Sequence, residues 1–233
     1  MDILVQLMRS DNHDVEVLMG DPKAAIRGMF VPFLIAFAVV EANQFVDTFW
    51  ISGLGTGPSS AISTVVPFYV LLMSAGMGIS VGATTTIAFR LGRNEREEAG
   101  KLASNSLLLG AILSVVASVI LLLMLDPAMD LLGVDSIRRE CWDYMLPMIL
   151  MSTPMICLLI IGGTLRGEGA TRKSTTVQMC AAVLNMILDP VLIYVLGMGI
   201  MGAGLATALS SLISLAIGLS WYFRGETLLR MDR

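Results

Sequence analysis

Three acidic residues stand in the interior of stretches that are otherwise almost wholly apolar: Glu41, Asp47 and Asp189. An ionised carboxylate is costly in a low-dielectric surround. No Lys or Arg falls in the interior of the same stretches to neutralise them, Arg27 lying at the opening of the first. Such a group must carry a proton or hold a cation, and either can be loaded and unloaded. The neighbouring residues suit that task. Asn43 and Asp47 are four residues apart and Gln44 and Asp47 three, which places a polar stripe on one helical face. Asn185 and Asp189 repeat the four-residue spacing. Pro190 cannot donate to the carbonyl of Met186 and disturbs the helix there. One turn then supplies a carboxylate, an amide oxygen and a freed carbonyl. Hard cations take oxygen ligands of this kind, so sodium at Asp47, Asn185 and Asp189 and a proton on the carboxylates both stay open. Asn and Gln also serve as glue between membrane helices, and for Asn43 and Gln44 both roles stand. Unpaired acids make poor glue, so Asp47 and Asp189 point to function. Glu41 stands between the two, nearer a membrane face.

These residues need long apolar helices to position them. A bilayer core about 30 Å thick needs about 20 mostly apolar residues per helix. Six stretches qualify: 24–52, 61–89, 102–125, 141–165, 174–197 and 202–223. Backbone groups in lipid must be satisfied internally, and strand alternation is absent, so the fold class is all-α: a polytopic membrane protein with six transmembrane helices. The organisation is a lead over 1–20, a six-helix lobe over 21–224 and a tail over 225–233. Asp21-Pro22 reads as N-cap and first helical residue. The basic residues alternate as six spans require. Arg9, Lys23 and Arg27 precede or open the first. Arg90, Arg93, Arg96 and Lys101 follow the second. Arg166, Arg172 and Lys173 follow the fourth, and Arg224, Arg230 and Arg233 the sixth. Arg138 and Arg139 alone lie on the other side. The positive-inside bias then places both termini in the cytoplasm of a multi-pass plasma (inner) membrane protein.

The composition excludes several classes. With 233 residues, 55% hydrophobic and 15% charged, the chain is no disordered polymer. Three cysteines give no disulfide framework; Cys141, Cys157 and Cys180 read as small apolar packing residues. A net charge of −4 leaves no nucleic-acid footprint. The single histidine, His13, lies in the polar lead, which removes Ser–His and His-rich metal chemistry; only two aspartates could nominally serve an intramembrane protease, and no enzyme is expected. Prolines at 32, 67, 147, 154 and 190 are candidate kinks. Gly76, Gly78 and Gly82, and Gly199, Gly202 and Gly204, allow close helix approach.

Five motifs in order resemble the N-terminal half of the multidrug and toxic compound extrusion family: Gly20-Asp21-Pro22; Asp47-Thr48-Phe49-Trp50 within 46–55; Arg166-Gly167-Glu168-Gly169 within 165–172; Asn185 through Asp189-Pro190; and Gly202-Ala203-Gly204 leading to Thr207. They span nearly all of 20–223. The resemblance implies proton- or sodium-coupled export of amphipathic, often cationic organic compounds, with no cofactor beyond the coupling ion. It implies a cation site at Asp47, Asn185, Asp189 and Thr207, supported by Tyr144, and a bending proline at Pro32. Family members carry two six-helix lobes with the chamber between them. The chain matches one, so the partner implied is a second lobe, either another copy or a separate C-lobe chain. Two alternatives remain. One is a flippase of the wider superfamily, opposed by the lack of Lys or Arg inside the spans to hold a pyrophosphate. The other is a non-transporting fragment or assembly partner.

Overall fold

The computed structural model describes the backbone over residues 22–229, and side chains at Leu34 and from residue 37 onward. The lead with His13, Asp21 and the end of the tail lie outside the described residues. Among these the chain is helical throughout. The helices are α1 (Pro22–Ser52), α2 (Thr56–Gly92), α3 (Arg96–Leu132), a short 3-10 turn (Asp135–Ile137), α4 (Arg138–Leu150), α5 (Ser152–Gly167), α6 (Thr171–Pro190) and α7 (Ile200–Arg224); α6 runs on as one wide π turn, Val191–Val195. Helix α1 is helical from Pro22, where the described residues begin; Asp21, its expected N-cap, lies outside them. Helix α1 accounts for the first of the six spans. Helices α2, α3, α6 with its π turn, and α7 are each long and apolar enough to cross a bilayer, and α4 with α5 forms a further, broken span.

Helices α2 and α3 outrun their apolar stretches. Each has 37 residues, about 55 Å at 1.5 Å per residue. Their ends carry charge and project into water. At one end, Glu95 accepts from Arg90 at 2.6 Å and Arg93 at 2.9 Å. The Arg90 hydrogen bond holds the Glu95 carboxyl below the usual carboxylate range, so the α2–α3 turn keeps this contact down to acid pH. At the other end Arg138 gathers Asp126 at 3.5 Å, Asp135 at 2.6 Å and Asp130.

The fourth span, a single helix over 141–165 by sequence, breaks at Met151 with a 56° bend. Pro147 lacks an N–H for the carbonyl of Asp143, and Pro154 lacks one for Leu150. Two such losses seven residues apart weaken the ladder between them. The bend turns α4 towards α7 and α5 towards α2.

Two apolar clusters fill the lobe. One joins α2, α3, α4, α5 and α7 around Met129, Met145, Met148 and Ile156. The second joins α2, α5, α6 and α7 around Ile87, Leu165, Val177 and Trp221. The outer faces present Leu71, Leu108 and Leu123, as lipid contact requires. Glycines set the closest approaches. Gly76 lies against Ile156, Gly163 against the backbone of Ser80, Gly202 against that of Leu192 and Gly204 against that of Tyr144, whereas Gly78 and Gly82 face open space. The glycines of the second span therefore do not act alike.

After α7 the chain reverses. Gly225 takes a left-handed conformation, φ 69°, and the N–H of Glu226 returns to the carbonyl of Trp221, a Schellman-type stop that favours glycine. The turn brings the backbone N–H of Leu229 to Glu168 Oε2 at 3.1 Å; the Tyr222 hydroxyl donates to Glu168 Oε1 at 3.4 Å. Glu168 is buried. Lys173 donates to the carbonyl of Glu226. The α5–α6 loop thus grips the segment leaving α7. Replacing Glu168 by Ala strands the buried N–H of Leu229, while the Tyr222 hydroxyl keeps its closer acceptor, Thr164 Oγ1 at 3.0 Å. The replacement is expected to cost about 2 kcal/mol and to speed trypsin cleavage at Arg224, while Glu168→Gln keeps most of the protection. Equal cleavage of both variants and the wild type would rule out the grip.

Candidate functional site

Asp47, Asn43 and Gln44 line one cavity of about 450 Å³, together with Tyr144, Asn185 and Thr207. The residues arrive from four helices: α1, α4, α6 and α7. Asp189 is fully buried behind the wall, and its carboxyl lies close enough to that of Asp47 for each to act on the other's charge. The two acids singled out by sequence therefore face each other. Asn185 Nδ2 donates to Asp189 Oδ1 at 3.2 Å and approaches Thr207 Oγ1 at 3.4 Å; the Thr207 hydroxyl in turn donates to the carbonyl of Ala203. Asp47 Oδ1, Asp189 Oδ2 and Asn43 Oδ1 are buried without a hydrogen-bond partner among the described residues. Two carboxylates at this range in an apolar surround require a shared proton or a bound cation. The unpartnered oxygens are acceptors for either.

Local chain geometry explains why α1 and α6 meet here. Pro190 leaves the helix ladder one donor short, and the chain opens into the wide turn at Val191–Val195. Such turns are frequent at functional sites. Tyr194 in this turn reaches back and donates to the carbonyl of Trp50 at 2.5 Å, with its ring edge-on to the indole at a centroid distance of 5.8 Å. Trp50 lies three residues after Asp47, so this contact pins the end of α1 beside α6. The expected disturbance at Pro190 is present, displaced towards its C-terminal side.

Glu41 does not join the cluster. It is exposed and stands outside the cavity lining. Six residues separate it from Asp47, which turns it about a third of a revolution away on α1. The side chain of Pro32 lies outside the described residues; the backbone of α1 is helical through that position.

Several lining residues went unseen in the sequence. Tyr69 on α2 lies in the field of Asp47, as does the expected Tyr144, but Tyr69 is an ordinary aromatic in an apolar run. Ser80, Gln178, Ser210 and Ser211 also line the cavity. Arg166 corrects an expectation. Basic residues were placed outside the span interiors, with Arg166 in a loop after 165. Helix α5 continues to Gly167, and the Arg166 side chain lines the cavity. The obstacle raised against the flippase reading narrows with it: among the described residues the cavity is lined by one cationic side chain rather than none. Among the described residues no three His, Cys, Asp or Glu side chains converge, so a cation here would have to draw on the amide and hydroxyl oxygens as well as the two carboxylates.

The MatE family profile matches residues 32–191. The chain is 32% identical over 195 residues to a FAD transporter of Shewanella oneidensis, covering 81% of this chain and 43% of that one. It is 25% identical over 224 residues to the multidrug export protein MepA of Staphylococcus saprophyticus, covering 94% and 50%. Among solved structures, a MOP superfamily transporter from Pyrococcus furiosus superposes with TM-score 0.89 at 28% identity, over 96% of this chain and 50% of that one. The chain spans about half the length of the curated relatives it matches.

Proposed function

Because the chain belongs to the MatE family, the multidrug and toxic compound extrusion transporters that its motifs resemble, we propose that it is the N-terminal six-helix lobe (21–224) of a cation-coupled antiporter exporting amphipathic organic compounds. The observation that carries this reading is the carboxyl pair. Asp47 and Asp189 come from separate helices, meet inside the lobe, and form no ion pair with any described Lys or Arg. Proton or sodium would load there, with Asn185 and Thr207 supplying neutral oxygens. Tyr144, Asn43 and Gln44 would support the site from the cavity wall. Loading removes the repulsion between the carboxylates, so the end of α1 can change its packing against α6. Bends at Pro32 and Pro190 would carry that change to the cavity and release solute on the far side. A second lobe, another copy or a separate C-lobe chain, would close the chamber. The alternation of basic residues supports a plasma-membrane protein with both termini in the cytoplasm. A flippase has less support, since Arg166 stands as the one Lys or Arg among the described residues lining the cavity.

Trp50 offers a direct test, lying one turn from Asp47. Its fluorescence in the purified chain is expected to change saturably on adding sodium at constant pH, or on acidification without sodium. A Trp50→Phe variant identifies the signal against Trp142 and Trp221. A flat response to both cations would refute coupling at this pair.

A further inference from the structure

One charged group in the cavity has no part in the carboxyl pair. Arg166 Nη1 donates to Ser174 Oγ at 3.0 Å, and Nη2 to Ser80 Oγ at 3.3 Å. Both hydroxyls spend their own protons on main-chain carbonyls: Ser80 on Leu159 at 2.6 Å, and Ser174 on Gly162 at 2.8 Å. Each can therefore only accept from the guanidinium. They aim the side chain without neutralising it, and among the described residues it forms no ion pair. A guanidinium has five N–H donors, so most of them remain for something else. Gln178, which donates its amide N–H to Ser174, stands beside them in the same wall.

The position separates this cation from the carboxylates. Gln178 and Asn185 lie seven residues apart on α6, two turns along the same face, about 10 Å. A solute can thus present one end to Arg166 without bringing it against Asp47. Met77, Val81 and Met148 line the wall as well, an apolar surface for the body of the solute. A cavity of about 450 Å³ suits a small organic molecule.

Resting on the transport reading above, we infer that Arg166, aimed by Ser80 and Ser174 beside Gln178, is an oxoanion subsite, and that the solute is an amphipathic compound bearing a phosphate or carboxylate. Arginine suits this role because its planar fork matches oxoanions bidentately and never loses its charge.

The test compares riboflavin with riboflavin 5′-phosphate, which share one fluorescent ring and differ by the phosphate. Binding to the purified chain is read by fluorescence polarisation at fixed cation concentration. The wild type is expected to bind the phosphate form about tenfold tighter. Arg166→Gln should bring it to the level of riboflavin and leave riboflavin unchanged, while Arg166→Lys keeps part of the preference. Equal binding of the two flavins by the wild type, binding of neither, or an equal loss of both in Arg166→Gln would overturn the subsite. The wild-type comparison stands even where the variant fails to fold. Nanodiscs with and without phosphatidylglycerol separate a solute from a lipid headgroup. Competition by that lipid which vanishes in Arg166→Gln would overturn the solute assignment. Failure of the Trp50 cation response with an intact phosphate preference would count against coupling alone.

Discussion

Asp189→Asn is expected to abolish the response of Trp50 to sodium or protons and to reduce cation-driven transport by about tenfold or more, while leaving folding intact. The two side chains have the same shape, and position 189 is fully buried, so packing is conserved. The charge and one acceptor are lost. Asn185 Nδ2 donates to one Asp189 oxygen, so an amide at position 189 must keep its oxygen on that side. Its NH2 then points at Asp47 and donates to that carboxylate, where a proton or sodium would otherwise have to sit. The variant imitates the loaded pair. Its Trp50 emission should therefore match that of cation-saturated wild type and stay constant during titration. Its melting temperature without cation should equal or exceed that of the wild type, because the repulsion is gone. Asp47→Asn should also lose the response, since both carboxylates are needed for repulsion. A wild-type midpoint in both variants would remove these acids from coupling.

The parts of this site that were legible in the sequence share one property: they are expensive where they stand. Asp47 and Asp189 declared themselves because carboxylates do not belong in apolar runs. Asn185 followed from its spacing to Asp189. Tyr144 and Thr207 are chemically ordinary in a membrane helix, and only the resemblance pointed to them. Tyr69 gave no signal, since its role comes from α2 passing beside α1, a tertiary fact. Arg166 was hidden by its place at the end of an apolar run, where a basic residue usually marks the membrane face; the helix carried it into the cavity. Glu41 shows the converse. It shared the cost signal of Asp47 yet lies on another face, and hydropathy does not report facing. The six spans were readable because lipid sets a length. The extensions of α2 and α3 were not, because their ends lie in water and carry ordinary charged sequence. The break at Met151 was indicated by two prolines, but not the angle, which depends on what α4 and α5 pack against.

Glycine substitutions separate close packing from mere flexibility, and Gly204 should show the largest effect. Glycine in a helix interior costs about 0.5–1 kcal/mol relative to alanine, so a free position gains stability from Gly→Ala. Gly78 is such a position, with nothing within 4 Å of the place a methyl would take, and Gly78→Ala is expected to raise the melting temperature slightly. At Gly204 the same methyl would run into the carbonyl of Tyr144. That neighbour is backbone, so no side chain can swing aside, and α7 must move off α4. Overpacking of this kind costs about 1–3 kcal/mol, which exceeds the propensity gain. Gly204→Ala should therefore melt lower than wild type, and Gly204→Val lower still. The displacement also reaches the site. Thr207 lies one turn further along α7, and its contact to Asn185 is already 3.4 Å; a small shift of α7 breaks it. Cation affinity should fall in Gly204→Ala but not in Gly78→Ala. Thermal melts in detergent followed by circular dichroism, with Trp50 titrations on the same samples, read both effects. Equal stabilisation by the two alanines would show that α4 and α7 are not in contact at Tyr144, and the placement of Thr207 beside Asn185 would go with it.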